Sequence, residues 1–245
     1  MAVPPFHWWR TVVFLIPAIS VYTIVLGTLS LLSTLVDRQG HLAHKCARAW
    51  AWLILKTTGV TVEVSGIDQL PSDASYIFLA NHQSIYDIPV LFWYLPYQIR
   101  ILAKASLGRF PFLGWHLRRS GHVLVDRSNP GNSTMAQIKE LMRQHVSLLV
   151  FPEGTRSADG RVARFRAGIV LLAIESGLPI VPVSVEGTRH VMLKGRLMTC
   201  PGHVRLRVLP IVSTEGYDAR RARELAGVIE RQVRDGVEQL QGASS

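Results

Sequence analysis

Short apolar segments alternate with helix-like segments from about residue 60 onward, and this alternation constrains the fold more than any other feature. Strands that alternate with helices form a mostly parallel sheet, because each helix carries the chain back across one face of the sheet. The sequence therefore predicts an α/β fold, with a mostly parallel sheet flanked by helices. The predicted strands are residues 61–64, 76–80, 99–104, 123–126, 146–151, 180–185 and 204–209, and the predicted helices are residues 88–94, 133–144, 167–175 and 217–240.

The chain is basic, and its cations are unevenly placed. Its 245 residues include 27 Lys and Arg against 17 Asp and Glu, a formal charge of +10 that favours anionic partners. Residues 98–128 alone hold six cations and one acid. Nucleic-acid binding is not predicted, because the cations lie at predicted strand ends and not on an extended stripe with interleaved aromatic residues. The C-terminal helical segment has balanced charge, which is typical of a solvated face.

The N-terminal part contains a long segment without charge. Residues 11–36 are 26 residues long, against roughly 20 needed to cross a bilayer. The sequence predicts a membrane-associated helical region at residues 1–58, followed by an α/β domain at residues 59–245. Pro17 and Gly27 would kink the apolar segment or fold it into a shallow hairpin. The alternatives are a signal peptide, whose apolar core would be about 7–15 residues, and a buried core helix.

Basic residues lie mainly after the apolar segment, so if that segment spans a bilayer, the positive-inside tendency places the α/β domain in the cytoplasm. The inner membrane is the expected location. The next segment, residues 41–57, has apolar residues at spacings of three and four, typical of an amphipathic helix. It could lie on an anionic membrane or face the core, and the pattern fits both. The two cysteines, Cys46 and Cys200, lack metal-ligand spacing, and no metal site is predicted.

A histidine and an aspartate follow the predicted strand 76–80. His82 and Asp87 are five residues apart, so they can meet only if the chain turns between them, as it does in a strand-to-helix loop. An imidazole oriented by a carboxylate is a general base, because the carboxylate fixes the tautomer and stabilises the charged form. Alternatively, Asp87 is simply a helix N-cap, with Pro89 in the first turn.

A second loop follows the predicted fifth strand. Gly154 allows close backbone approach, Thr155 offers a hydroxyl, and Arg156 has a planar donor fork suited to phosphate. Lys104 and Arg127 also follow apolar strands. Since ligands of such sheets bind beyond the carboxyl ends of the strands, these residues predict a phosphate pocket beside the histidine–aspartate loop.

Four segments in this order resemble the motif blocks of the glycerolipid acyltransferases, and most closely those of the 1-acyl-glycerol-3-phosphate acyltransferases. The segments are Asn81-His82-Gln83-Ser84 with Asp87, Gly121 to Arg127, Phe151-Pro152-Glu153-Gly154-Thr155-Arg156, and Val181-Pro182-Val183. They cover about residues 76–187. The N-terminal segment is also similar to the membrane-embedding helices of bacterial members.

The resemblance implies acyl transfer from acyl-CoA or acyl carrier protein to the sn-2 hydroxyl of lysophosphatidic acid, which forms phosphatidic acid in phospholipid biosynthesis. It implies that His82 is the general base and that Asp87 orients it. Membrane lipids are expected partners, and neither a cofactor nor a metal is required. The residues expected to bind substrate are Asn81, Lys104, Arg127, Glu153, Gly154, Thr155 and Arg156.

Other functions fit the same residues. The acceptor could be glycerol 3-phosphate, another lysophospholipid or a lyso-aminolipid. A hydrolase would use the His82–Asp87 pair to activate water. A non-enzymatic protein would bind anionic lipid through its basic surface and would not depend on His82.

Overall fold

A seven-stranded sheet forms the centre of the structure, a computed structural model that describes residues 5–37, 39–109, 113–125 and 132–242. The strands lie in the order β1-β7-β6-β2-β5-β3-β4. The strands are β1 (Val60–Ser65), β2 (Ile77–Ala80), β3 (Ile99–Lys104), β4 (Val123–Val125), β5 (Ser147–Val150), β6 (Ile180–Glu186) and β7 (Gly202–Val208). The helices are α1 (Phe6–Trp9), α2 (Ile16–Ser33), α3 (His41–Thr58), α4 (Asp87–Tyr94), α5 (Leu113–Arg119), α6 (Asn132–Arg143), α7 (Ala167–Ser176), α8 (Thr188–Val191) and α9 (Ala222–Gly242).

The sheet is parallel except where β6 pairs with β7. Strands β2 and β5 are parallel neighbours, as are β5 and β3, and β2 and β6. Their carboxyl ends therefore meet at one edge of the sheet, called here the active edge. Strands β7 and β1 run in the opposite direction. The predicted α/β fold with a mostly parallel sheet is confirmed.

Two hydrophobic clusters cover the two faces of the sheet. Strand β2 shows the division, because Phe78 and Ala80 point into one cluster and Ile77 and Leu79 into the other. The first cluster contains side chains of α3 and α4, and the second contains side chains of α6, α7 and α9. The side chains of β2, β5 and β6 are almost fully buried on both faces, which is typical of parallel strands and explains their continuous apolar sequences.

The N-terminal apolar segment forms one long helix. It runs over Phe6–Ser33, with α1 and α2 joined by a π-helical turn at Arg10–Leu15. The turn ends next to Pro17, which has no backbone N–H to donate. The helix continues through Gly27, where an added Cβ atom would contact nothing. The helix packs against α3 in a helical hairpin.

Helix α3 buries one face, as expected of a core-facing amphipathic helix. Ala51, Ile54 and Leu55 pack into the first cluster beside α4, whereas Leu42 and Trp52 remain exposed. The buried face of α3 therefore agrees with the alternative in which this segment faces the core. The division of the chain at residue 58 stays a prediction.

The last helix begins later than predicted. Residues from 217 were assigned to it, but α9 starts at Ala222 after a short 3₁₀ turn at Ala219–Arg221, because Asp218 caps that turn by accepting from two backbone N–H groups. Helices α5 and α8 were not predicted. Both are too short to show a helical period.

Candidate active site

The loop between β2 and α4 brings His82 and Asp87 into hydrogen-bond contact at the active edge. His82 Nδ1 lies 2.7 Å from Asp87 Oδ2. The Asp87 side chain is fully buried, while the His82 side chain keeps 16% of its surface exposed. A carboxylate bound at Nδ1 selects the tautomer with the proton on that nitrogen and leaves Nε2 as the basic atom. The geometry is that of a general base that a substrate hydroxyl can reach.

Asp87 is held by backbone groups that precede it. Its Oδ2 also accepts from the N–H groups of Gln83 and Ser84, at 2.7 and 2.9 Å. An N-cap side chain instead accepts from N–H groups two or three residues later in its helix. Asp87 is the first residue of α4 and makes no such bond, so the N-cap alternative does not describe it. Its other oxygen, Oδ1, accepts from the hydroxyl of Thr188 at 2.5 Å.

Two residues of the second loop hold His82 from the other side. The imidazole stacks on the ring of Phe151, with centroids 4.0 Å apart and an interplanar angle of 18°. Glu153 Oε1 accepts from the backbone N–H of His82 at 2.7 Å. The His82 carbonyl accepts in turn from Ser157 N, also at 2.7 Å. The two loops are thereby locked together around the histidine.

Glu153 is buried, and both of its oxygens are occupied. The second, Oε2, accepts from Ala163 N at 3.0 Å. Burial raises the pKa of this carboxyl to about 7, while the two backbone hydrogen bonds act in the opposite direction. A side chain used in this way joins loop segments. The substrate contact expected of Glu153 stays a prediction.

Asn81 has a similar structural task. Its side-chain nitrogen donates to the Val185 carbonyl and its side-chain oxygen accepts from Val185 N, both at 2.8 Å. The side chain is 1% exposed. Asn81 therefore fastens the end of β2 to β6, which positions the histidine loop. The substrate contact that the resemblance implies for Asn81 stays a prediction.

The remaining predicted binding residues lie at the active edge or outside the described residues. Thr155 is exposed and Arg156 is half-buried. Lys194 donates to the Thr155 hydroxyl at 3.3 Å and to the Arg156 carbonyl at 2.7 Å. Lys104 ends β3, next to β5, although its side chain lies outside the part that the structure describes. Arg127 also lies outside it.

Gly154 adopts a backbone conformation with φ of +79°, which favours glycine. A Cβ atom at this position would lie 2.9 Å from the guanidinium of Arg166. The glycine therefore allows Arg166 to lie directly over the second loop. Within the described ranges, no cluster of three or more His, Cys, Asp or Glu side chains is arranged to hold a metal ion.

A family model described as acyltransferase matches residues 61–186, just over half of the chain. The chain belongs to the acyltransferase family. The matched residues include both loops of the active edge. The 1-acyl-sn-glycerol-3-phosphate acyltransferase of Saccharomyces cerevisiae is 33% identical over 220 residues, which are 86% of this acyltransferase and 71% of the relative. The protein of the same name from Limnanthes alba is 34% identical over 169 residues, 67% of this chain and 59% of the relative.

A solved structure has the same fold. The crystal structure of the 1-acyl-sn-glycerophosphate (LPA) acyltransferase, PlsC, from Thermotoga maritima matches this acyltransferase with a TM-score of 0.78 and 29% sequence identity, over 96% of this chain and 97% of that one. The chain spans 58–59% of the length of the plant relatives from Limnanthes and Cocos nucifera that it matches.

Two residues of this acyltransferase site were absent from the sequence-based set. Thr188 lies 101 residues after the aspartate that it binds, and no local spacing connects them. Arg166 was not among the residues expected to bind substrate. The signal for Arg166 was Gly154, because a glycine in a loop indicates that another group approaches the backbone closely.

Proposed function

We propose that this protein transfers a fatty acyl group from acyl-CoA or acyl carrier protein to the sn-2 hydroxyl of 1-acyl-glycerol 3-phosphate, forming phosphatidic acid. The observation that carries the proposal is the contact of His82 Nδ1 with the buried carboxylate of Asp87 at 2.7 Å. The names of the similar proteins from yeast, plants and Thermotoga maritima support the acceptor.

In the proposed mechanism His82 Nε2 takes the proton of the acceptor hydroxyl while the oxygen attacks the thioester carbonyl. Asp87 stabilises the imidazolium that forms, and the tetrahedral intermediate collapses with cleavage of the carbon–sulfur bond. The thiolate leaves and receives the proton back from His82. An ester and a thiol result, with no covalent enzyme intermediate, so neither a serine nor a cysteine nucleophile is needed.

The oxyanion of the intermediate needs N–H donors, and some backbone N–H groups near His82 already have other acceptors. The N–H groups of Gln83 and Ser84 donate to Asp87, and that of Ser157 donates to the His82 carbonyl. These three groups are therefore already used. In the second loop, the N–H groups of Thr155 and Arg156 are the better candidates, because they follow Gly154 on the exposed side of the site.

Cations at the active edge would hold the acceptor phosphate. Arg156 offers a bidentate fork and Lys194 a point charge beside it. Lys104 and Arg127 follow neighbouring strands in the same sheet and are proposed to complete the phosphate site. The chemistry requires no metal or cofactor beyond the acyl donor, which is a substrate.

The N-terminal helix indicates association with a membrane. It is long and apolar enough to cross a bilayer, and only 6% of its apolar window is buried. We propose that the protein resides in the inner membrane with the active edge on the cytoplasmic side. An apolar cavity of about 200 Å³, lined in part by Leu15, Ile85 and Tyr86, lies between this helix and the histidine loop and suits part of an acyl chain.

The proposal is tested with His82→Ala. Detergent-solubilised protein is incubated with acyl-CoA, with and without 1-acyl-glycerol 3-phosphate, while thiol release and lipid product are followed. We expect acceptor-dependent thiol release and phosphatidic acid from the wild type, and a rate at least about 100-fold lower from the variant. His41→Ala, at an exposed histidine of α3, is the matched control.

Each alternative gives a different result. Thiol release without acceptor would indicate hydrolysis. Product formed only with glycerol 3-phosphate or another lysolipid would change the acceptor. A folded His82→Ala protein that works at the normal rate would eliminate the base role.

A further inference from the structure

A groove lined by three arginines lies beside the active edge. It is formed by the segment that leads into α7 and by the first half of α9, and it is an open groove with a volume of about 390 Å³. Arg164 and Arg166 line one wall and Arg223 the other, with Glu230 at its end. A concave site of this volume is in the range of small-molecule pockets. Its lining indicates an anionic ligand.

These arginines have no acidic partner among the described residues, unlike their neighbours. Arg221 pairs with Glu224 at 2.9 Å, and Arg234 pairs with Glu230 at 2.5 Å. The second oxygen of Glu230 accepts from the backbone N–H of Phe165 at 2.9 Å. Both oxygens of the only acid in the groove are thus engaged, and the charge of the three guanidinium groups stays available to a ligand.

The groove adjoins the catalytic loops directly. Arg166 lies over Gly154, and its backbone N–H donates to the Pro152 carbonyl at 3.1 Å. The next residue after Pro152 is Glu153, which holds the backbone N–H of His82. A ligand anchored on Arg166 therefore lies next to the loop that positions the general base.

The groove lies on the face of the sheet away from the N-terminal helical hairpin. Helices α7 and α9 cover that face, whereas α3 and α4 cover the other. A lipid acceptor approaches from the hairpin side, where the exposed apolar helix meets the membrane. A water-soluble donor can approach from the opposite side. The position of the groove therefore favours the donor over the acceptor as the source of the anion.

We infer that the groove binds the phosphate groups of coenzyme A when coenzyme A is the carrier of the acyl chain. Guanidinium forks bind phosphate oxygens in pairs, and CoA carries a diphosphate and a 3′-phosphate that can engage several of them. Helix α7 begins at Ala167 in the same wall, without an acid in its first turn or a capping side chain, so its N-terminus adds to the positive potential. The inference rests on the proposed function, because it assigns a site to that reaction's donor.

The test compares Arg164→Gln and Arg223→Gln with Arg221→Gln. All three remove one positive charge, but Arg221 is bound to Glu224 and lies outside the groove lining. We expect the KM for acyl-CoA to rise about tenfold in the first two variants and to stay within about twofold in the control. The KM for 1-acyl-glycerol 3-phosphate should not change in any of them. With an acyl pantetheine, which has no phosphate, all variants should match the wild type.

Titration of the proteins with coenzyme A itself gives an activity-independent readout, in which the two groove variants should bind about tenfold more weakly. Unchanged CoA affinity and donor KM in those variants would overturn the inference. A rise confined to the KM for the acceptor would also overturn it, because the groove would then bind the lipid phosphate. A rise confined to the KM for acyl carrier protein would overturn it as well, because the groove would then be a protein-docking surface. A wild type that makes no phosphatidic acid would instead refute the proposed function, and the coenzyme A titration would still decide about the groove.

Discussion

The Asp87 carboxylate accepts four hydrogen bonds, from an imidazole, two backbone amides and a threonine hydroxyl. This number matters because a fully buried carboxylate is costly unless its lone pairs are satisfied. It also fixes both oxygens in space, so the imidazole bound to Oδ2 cannot turn. The Thr188 hydroxyl supplies the only one of the four bonds that comes from outside the histidine loop and α4.

Replacing Thr188 with Val should lower kcat by about tenfold to 100-fold with little change in either KM. Valine has a similar shape but leaves Asp87 Oδ1 without its hydrogen-bond donor. A hydrogen bond to a charged group contributes about 1.5–3 kcal/mol of free energy, which is lost in the variant. Steady-state kinetics with each substrate varied in turn check this, because loss of a group that positions the imidazole lowers kcat and leaves both KM values nearly unchanged.

Thr188→Ser restores a hydroxyl and is the matched control, with activity expected within a few-fold of wild type. If the Val and Ser variants lost activity equally, Thr188 would be a packing residue only. The choice between these outcomes does not depend on the identity of the acceptor.

The sequence predicted contacts between residues close together in the chain and did not predict contacts between distant residues. His82 and Asp87 are separated by one turn of chain, so a strand followed by a loop was enough to predict that they could meet. Asn81 and Glu153 were recognised as parts of the site, but their side chains point to Val185 and to backbone amides. Side-chain direction depends on how the two loops pack, which no spacing encodes.

Helix α3 joins the N-terminal helix to the α/β domain through a buried basic pair. His44 is 8% exposed and Arg100 of β3 is 4% exposed. The Arg100 guanidinium donates to the carbonyls of Gln39 and Gly40, just before α3. Burial, and then the charge of Arg100, lower the pKa of His44 to about 4, so this histidine is neutral in the folded protein at neutral pH.

Acid should therefore weaken the attachment of α3. The folded pKa of His44 lies below the unfolded value of 6.5, so its contribution to stability is complete above pH 6.5 and is lost as the pH falls toward 4. The loss should reach about 2 kcal/mol at pH 5. Thermal unfolding between pH 7.5 and 5 should show a larger decrease in Tm for the wild type than for His44→Leu.

The comparison with a variant is needed because Glu153 acts in the opposite direction. Its pKa of about 7 lies above the unfolded value of 4.5, so its contribution is lost as the pH rises through 7. The contribution of Glu153 is the same in the wild type and in His44→Leu, so it cancels when their changes in Tm are subtracted. The exposed His41 serves as control, and His41→Leu should follow the wild type. Equal pH responses of wild type and His44→Leu would contradict the assignment.

The strand and helix pattern was predictable because buried parallel strands are short and continuously apolar. The direction of β7 was not, since an antiparallel and a parallel strand can have the same apolar pattern. Strand β7 alternates buried and partly exposed residues, unlike β6, and this difference becomes informative only once the strand order is known. Helix α3 illustrates the same limit: its apolar stripe indicated a buried face, but not what covers that face.

Among the residues that the structure describes, one extended apolar surface lies outside the core. It lies on the N-terminal helix, where Val21, Ile24 and Val25 expose 57%, 68% and 51% of their surfaces. The opposite side of the helix is attached to α3, for example through Arg10, which donates to the carbonyls of Thr57 and Thr58. A contiguous exposed apolar surface of this kind is unusual for a soluble monomer, and it indicates a membrane-facing side.

Placing a charge on this surface should weaken membrane association. A carboxylate at the centre of an inserted helix costs about 2.5–3.5 kcal/mol, so Ile24→Glu should lower the partition coefficient into phospholipid vesicles about 100-fold. Vesicle co-sedimentation measures this, with Ile24→Leu as control. Activity on acceptor dissolved in detergent should be retained. Equal sedimentation of both variants would show that the surface does not enter the bilayer.

The antiparallel pairing of β6 with β7 decides where the membrane helix sits. Strand β1 follows β7 in direction, so β1 begins at the edge where β2, β5 and β6 end. Helix α3 leads directly into β1, which brings the helical hairpin to the active edge. In the proposed reaction, the acceptor therefore reaches the active edge from within the membrane surface. At a constant bulk concentration of acceptor lipid, the reaction rate should follow the mole fraction of acceptor in the bilayer. Adding inert lipid should lower the rate by surface dilution.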